Sequence, residues 1–136
     1  MPANQNSNET TETALVKKLY ASLNQNDIPA VVASFSPDVE LIEPPEFSGA
    51  GTYRGLAVVK EHFLKARETW AEGSCEPERF FTAGDKVVVF VHVRVRLKEK
   101  TEWNEGHIAD GYQFRNGQAI QMRTFLDRQQ ALDWAG

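Results

Sequence analysis

Two carboxyl groups stand where the sequence gives them an unusual setting. Asp110 lies in the run Ile108-Ala109-Asp110-Gly111-Tyr112-Gln113-Phe114-Arg115, in phase at every second position with Ile108, Tyr112 and Phe114. An acid on the apolar side of a strand is costly unless it is hydrogen-bonded, paired or put to use. No lysine or arginine stands in phase beside it, so burial should outweigh charge pairing and raise its pKa. Glu43 ends the run Val39-Glu40-Leu41-Ile42-Glu43 and is followed at once by Pro44-Pro45. A carboxyl group kept neutral by burial can give a hydrogen bond to a developing oxyanion, while a second carboxylate abstracts a proton α to a carbonyl. Each acid also has a plain alternative. Glu43 reads equally as a solvated residue at a strand end, and Asp110 as an acid held by a tyrosine or by the backbone.

The elements that must position these acids follow from periodicity. Valine recurs at every second position from Val87 to Val95, with Val88, Phe90, His92 and Arg94 between, which predicts a strand with one dry face. Ala119 to Leu126 alternates in the same way, and Asn116-Gly117 before it is a strong two-residue hairpin signal. Upstream, Leu15, Val16, Leu19, Tyr20 and Leu23 fall at helical spacing, with Thr10 or Thr11 as cap. Asp27 and Pro29 open a short second helix reaching Phe35, which Ser36-Pro37-Asp38 breaks. A third helix is predicted from Leu56 to about Ala71, with Leu56, Val59, Phe63, Ala66 and Trp70 on one face. Ser74 to Thr82 reads as a strand, Lys98 to Gly106 as a polar connection, and Asp127 as the cap of a terminal helix with Leu132 and Trp134. Helices gathered before strands argue an α+β domain, helices on one face of a curved sheet.

Composition narrows the function. A chain of 136 residues supports one domain, read here as residues 10–136 behind a polar, disordered tail at 1–9. The net charge of -4 and the absence of a basic patch argue against nucleic acid. No apolar run approaches the roughly 20 residues a membrane span needs, and the first residues are not a secretory signal, so a cytoplasmic location is expected. The single Cys75 leaves no disulfide framework, and His62, His92 and His107 lack a short ligand spacing, so no metal is expected. His62 and His107 are read as structural or exposed, and His92 as facing a surface or a partner.

The order of these elements resembles the NTF2-like superfamily, the α+β cone shared by nuclear transport factor 2, ketosteroid isomerase and SnoaL-like polyketide cyclases. The resemblance runs from Thr11 to Trp134. It is carried by Leu23-Asn24-Gln25-Asn26-Asp27, Asp38 to Pro44, Tyr53-Arg54-Gly55, and Asp110 to Gly117. It implies three N-terminal helices packed on a curved, mainly antiparallel sheet, and no cofactor. In ketosteroid isomerase the general base precedes a proline at the end of the first strand, which places that role on Glu43. The oxyanion-hole acid precedes an aromatic-alternating segment, which places that role on Asp110; SnoaL-like cyclases use an acid in the same region. The isomerase's helical tyrosine aligns on Leu19, with Tyr20 one place along, about 100° round the helix. Tyr20, Tyr112 and Tyr53 are therefore all candidate auxiliary donors. Limonene-epoxide hydrolase needs an aspartate where Thr124 stands, which argues against epoxide hydrolysis.

Two readings remain open. One is a cofactor-independent isomerase or cyclase moving a proton on a small apolar carbonyl compound, with Glu43, Asp110 and Tyr20 as catalytic residues. The other is a non-catalytic dimeric module that binds a small hydrophobic ligand or mediates association. Leu19, Phe63, Trp70, Val89, Val91, Tyr112 and Met122 are the expected pocket wall, with residues Glu46 to Thr52 as a lid. A homodimer is expected through the outer sheet face, on Phe90, His92, Arg94, Arg123 and Phe125.

Overall fold

The structure, a computed structural model, describes residues 9–136. The tail expected at residues 1–9 lies outside them except for Glu9, which pairs with Lys17. Helices α1 (Thr11–Asn24) and α2 (Ile28–Val31) come first, then strands β1 (Phe35–Glu43) and β2 (Gly51–Arg54). Helix α3 (Leu56–Glu68) follows, then β3 (Trp70–Ala83), β4 (Lys86–Leu97), β5 (Asn104–Arg115) and β6 (Gln118–Phe125), and last helix α4 (Arg128–Ala135). The six strands form one sheet in the order β2-β1-β6-β5-β4-β3. Only the β1–β6 pairing is parallel. This is the α+β arrangement that the segregation of helices before strands implies.

Local chemistry sets the element ends. Thr10 Oγ1 accepts from Thr13 N at 3.0 Å and Asp27 Oδ1 accepts from Ala30 N at 3.2 Å, so α1 and α2 both start on a side-chain cap. Asp127 Oδ1 accepts from Gln129 N at 2.8 Å and opens α4 in the same way. Asn116 and Gly117 both have positive φ, 53° and 79°, as a tight hairpin turn between β5 and β6 requires.

Four boundaries depart from the periodic reading. The second helix stops at Val31 and Phe35 already begins β1, so Ser36-Pro37-Asp38 lies within a strand rather than ending a helix. Proline is tolerated there because the β1–β6 register shifts between Phe35 and Glu40, leaving that stretch outside a regular ladder. Pro77 sits the same way at a register shift in the edge strand β3. The third helix ends at Glu68, so Trp70 starts β3 instead of closing a helical stripe. Finally, Gly51–Arg54 forms a short edge strand inside what reads as loop and helix approach, and β5 begins at Asn104, within the expected polar connection.

The sheet divides the apolar residues between two cores. Its inner face packs Val87, Val89, Val91, Tyr112 and Met122 against Val16, Leu19 and Tyr20 of α1 and Val59 of α3. On its outer face Val88, Phe90, Ala109 and Phe125 meet Ala131, Leu132 and Trp134 of α4. This corrects part of the outer-face expectation: Phe90 and Phe125 are covered by the chain's own terminal helix, which alternation within the strands does not reveal. His92 and Arg94 extend beyond that helix, with His92 Nε2 at 2.6 Å from Glu105 and the Arg94 guanidinium 3.8 Å from the centre of the Trp103 ring.

Gly111 allows this second core to close. A Cβ there would lie 2.5 Å from Trp134 Cζ3, closer than real carbon atoms approach. Gly111→Ala is expected to displace the ring and destabilise the fold by about 1–3 kcal/mol, the usual cost of overpacking. Urea unfolding monitored by tryptophan fluorescence checks this, and an unchanged midpoint would show that Trp134 yields freely.

Candidate active site

The inner face of the sheet does not pack solidly to its end. Between the sheet, α1, α3 and the segment after β1 lies a cavity of about 550 Å³, large enough for a small organic molecule. Leu19, Phe63, Trp70, Val91 and Met122 stand in its wall, with Phe47, Ser48 and Gly49 of the 44–50 segment bordering one side. Val89 and Tyr112, assigned to the wall from sequence, do not line it. Both are fully buried in the solid core, with Tyr112 beside the contact of α1 and α2. Strand alternation selects the inner face correctly but does not say where along a strand the cavity ends and close packing begins.

Two polar side chains hydrogen-bond Asp110, which is 4% exposed, and a third stands behind one of them. Thr124 Oγ1 of β6 donates to Asp110 Oδ1 at 2.7 Å, from the position directly across the β5–β6 ladder. The Tyr20 hydroxyl of α1 donates to Asp110 Oδ2. Tyr20 and Tyr112 in turn share a hydrogen bond of 2.8 Å between their hydroxyls. The one-residue offset on the first helix therefore does not remove the tyrosine: Leu19 and Tyr20 both reach the cavity, and Tyr20 meets the acid. Tyr53 is engaged elsewhere, donating to Gly49 O at 2.8 Å.

Burial pushes the Asp110 carboxyl up to about 6, a rise that the Tyr20 and Thr124 hydrogen bonds oppose and the charge of Glu43 reinforces. No lysine or arginine among the described residues enters the balance. A value in that region leaves both the ionised form and the protonated, donating form accessible close to neutrality. Its value near neutrality suits an acid that must both hold and release a proton. Burial also drives the Tyr20 and Tyr112 hydroxyls well above their usual range, with the Asp110 charge adding to the effect, so both stay protonated donors. Cys75 borders the same cavity, but burial pushes its thiol up to about 12 and leaves it without thiolate character.

Glu43 also borders the cavity, from the end of β1. Burial raises its pKa, and the neighbouring His62 pulls it back. His62 Nε2 lies 2.9 Å from Glu43 Oε1, and the two side chains are 15% and 18% exposed. The sequence alone suggests a structural or exposed role for His62; the structure places it in the wall of the site. A signal for it exists: His62 falls three residues after Val59 and four before Ala66, next to the apolar stripe of α3. Thr124 likewise shares the phase of Met122 on β6. Among the described residues, no group of three or more histidines, cysteines or acids is placed to hold a metal ion. Among the described residues, no helix is long and apolar enough to cross a membrane.

The fold and this inner-face acid define a class, and comparison with known proteins gives the family. The SnoaL-like domain family matches residues 16–122, and the chain belongs to it. Among solved structures, TerC co-crystallised with polyporic acid is similar at 24% identity and a TM-score of 0.76, covering 91% of this chain and 97% of that one. An NTF2-like protein of unknown function from Burkholderia pseudomallei aligns at 23% identity and a TM-score of 0.77, covering 92% and 97%. A protein of ketosteroid isomerase-like fold from Catenulispora acidiphila, solved with trimethylamine, aligns at 13% identity and 0.73, covering 82% and 83%. These likenesses carry the fold. No curated protein matches the chain.

Proposed function

We propose that this protein is a cofactor-independent enzyme of the isomerase or cyclase type, moving a proton on a small, largely apolar carbonyl compound. The observation that carries the reading is that Glu43 and Asp110 border one mainly apolar cavity in different surroundings, one against a histidine and one among hydroxyls. Glu43 serves as base. It takes the proton α to the carbonyl, the electron pair of the broken C–H bond moves into the carbonyl, and the oxygen gains negative charge. The Tyr20 hydroxyl and protonated Asp110 are the donors for that oxygen. Return of the proton from Glu43 to a different carbon completes an isomerisation; attack of the enolate carbon on a second carbonyl within the same molecule makes a ring, the π pair of that carbonyl passing to its oxygen, which then takes the proton from Glu43. The apolar wall of Leu19, Phe63, Trp70, Val91 and Met122 favours a ligand with little charge.

A second reading, a non-catalytic module for a small hydrophobic ligand, draws on one observation. Thr124 and Tyr20 already satisfy both oxygens of Asp110 without a ligand. The test is exchange of α protons for deuterium in a panel of cyclic enones and β,γ-unsaturated ketones, followed by proton NMR. The enzymatic reading expects exchange above the buffer rate for at least one member of the panel. Binding of several members with no exchange in any of them would favour the second reading.

A further inference from the structure

His62 is a titratable residue of the cavity that the mechanism above leaves idle, and its surroundings are built rather than incidental. Its ring Nε2 meets Glu43 Oε1 at 2.9 Å. One face of the ring stacks on Tyr53 of β2, with centroids 4.0 Å apart and planes inclined by 27°. Tyr53 also ties down the adjoining segment by donating to Gly49 O at 2.8 Å. Gly49 closes the remaining side: a Cβ on it would fall 2.8 Å from His62 Cε1 and 3.0 Å from Glu43 Oε1. Contacts from β1, β2, α3 and the intervening segment thus leave the pair little freedom to separate.

We propose that His62 is the positioning residue of the site's base, holding one oxygen of Glu43 through a ring N–H and leaving the other free to accept a proton. This rests on the reading of Glu43 as base. A carboxylate has no proton to give, so a neutral ring bonded to it must carry its proton on Nε2. The opposite tautomer, with the proton on Nδ1, would require the carboxyl to be protonated and unable to act as base. The imidazole therefore does for Glu43 what burial works against: it favours the ionised form in a partly desolvated place.

Other titratable groups stand around the pair without replacing this contact. Asp110 and Glu105 of β5, Tyr20 of α1, Cys75 of β3 and Lys65 of α3 border the same cavity. Glu46, Arg123 and Asp127 border a smaller cleft of about 380 Å³ that also reaches Glu43. Among the described residues, His62 is the one side chain hydrogen-bonded to Glu43.

The test uses the full chain and two variants. His62→Leu removes the donor, and His62→Gln keeps an N–H donor without the ring. Carbon-13 NMR follows the titration of the Glu43 carboxyl, and nitrogen-15 NMR of the wild-type imidazole identifies the protonated ring nitrogen. The proposal expects Nε2 to carry the proton at neutral pH. It expects the Glu43 midpoint to rise by about one pH unit in His62→Leu, with His62→Gln recovering at least half of that shift. On the acid side of the rate profile with a β,γ-unsaturated ketone, the leucine change should cost about tenfold, because a base is lost as pH falls through its pKa. An unchanged Glu43 midpoint in His62→Leu, or a neutral wild-type ring protonated on Nδ1, overturns the proposal. Should His62→Leu fail to fold, the wild-type nitrogen spectrum decides alone. A shifted midpoint in a protein that exchanges no ketone would keep the pair and remove the proton-transfer reading. Exchange that persists with an unmoved midpoint would do the reverse.

Discussion

Glu43→Gln is expected to slow proton abstraction by about 10²–10⁴-fold, the usual range for removing a positioned general base. Affinity for the same ketone should stay nearly constant, because the amide keeps the shape of the carboxylate at the cavity edge. The loss should therefore fall on kcat rather than on KM. His62 can keep a contact with the amide oxygen, so the fold around it should survive; near-ultraviolet circular dichroism checks that the aromatic core is intact. Deuterium exchange in the variant at the wild-type rate would remove Glu43 from the mechanism and leave Asp110 as the acid to examine next.

Asp110 should separate its chemical role from its structural cost. Asp110→Ala is expected to lower activity by about 10²–10³-fold, comparable to deleting an oxyanion donor, whereas Asp110→Asn should retain a measurable part because the amide still donates. The alanine change also leaves the Thr124 hydroxyl without its acceptor in a buried site, a cost of about 1–3 kcal/mol. The pH dependence of stability provides an independent reading. The folded protein holds the Asp110 proton up to about pH 6, against an ordinary value of 3.8, so between those values the native state binds more protons than the unfolded chain. Stability from this group is greatest below about pH 4, declines as pH rises, and stands lower by roughly 3 kcal/mol above pH 6. Asp110→Asn should abolish that decline, giving a flatter curve of unfolding free energy across the window and a relative gain at pH 7. Urea titrations at a series of pH values measure it. A wild-type minus Asp110→Asn difference that rises through the window would show that the hydrogen bonds outweigh burial.

Much of this site is legible along the chain because strands alternate. The position of Asp110 among Ile108, Tyr112 and Phe114 identifies the inner face of β5, and the valines from Val87 to Val95 identify that of β4. The turn at Asn116-Gly117 starts the pairing of β5 with β6, but Thr124 comes opposite Asp110 only through a one-residue register shift between Gln113 and Phe114, which the turn does not encode. Caps at Thr10, Asp27 and Asp127 mark helix starts for a local reason, since each side chain bonds backbone only two or three residues away.

What the sequence determined alone is thus the alternation, the caps, the hairpin and the inward face of one buried acid, all of which depend on neighbours close in the chain. What only tertiary structure decided depends on partners far apart in it. Tyr20 and Asp110 are separated by 90 residues, and only the packing of α1 onto the sheet brings the hydroxyl to the carboxylate. Glu43 and His62 meet because α3 lies across the end of β1. Phe90 and Phe125 lie in a second core because α4 folds back over the outer face, a contact no periodicity within their strands encodes. The limit of the cavity was settled in the same way, since Val89 and Val91 occupy equivalent phases and differ only in whether neighbouring elements fill the space above them.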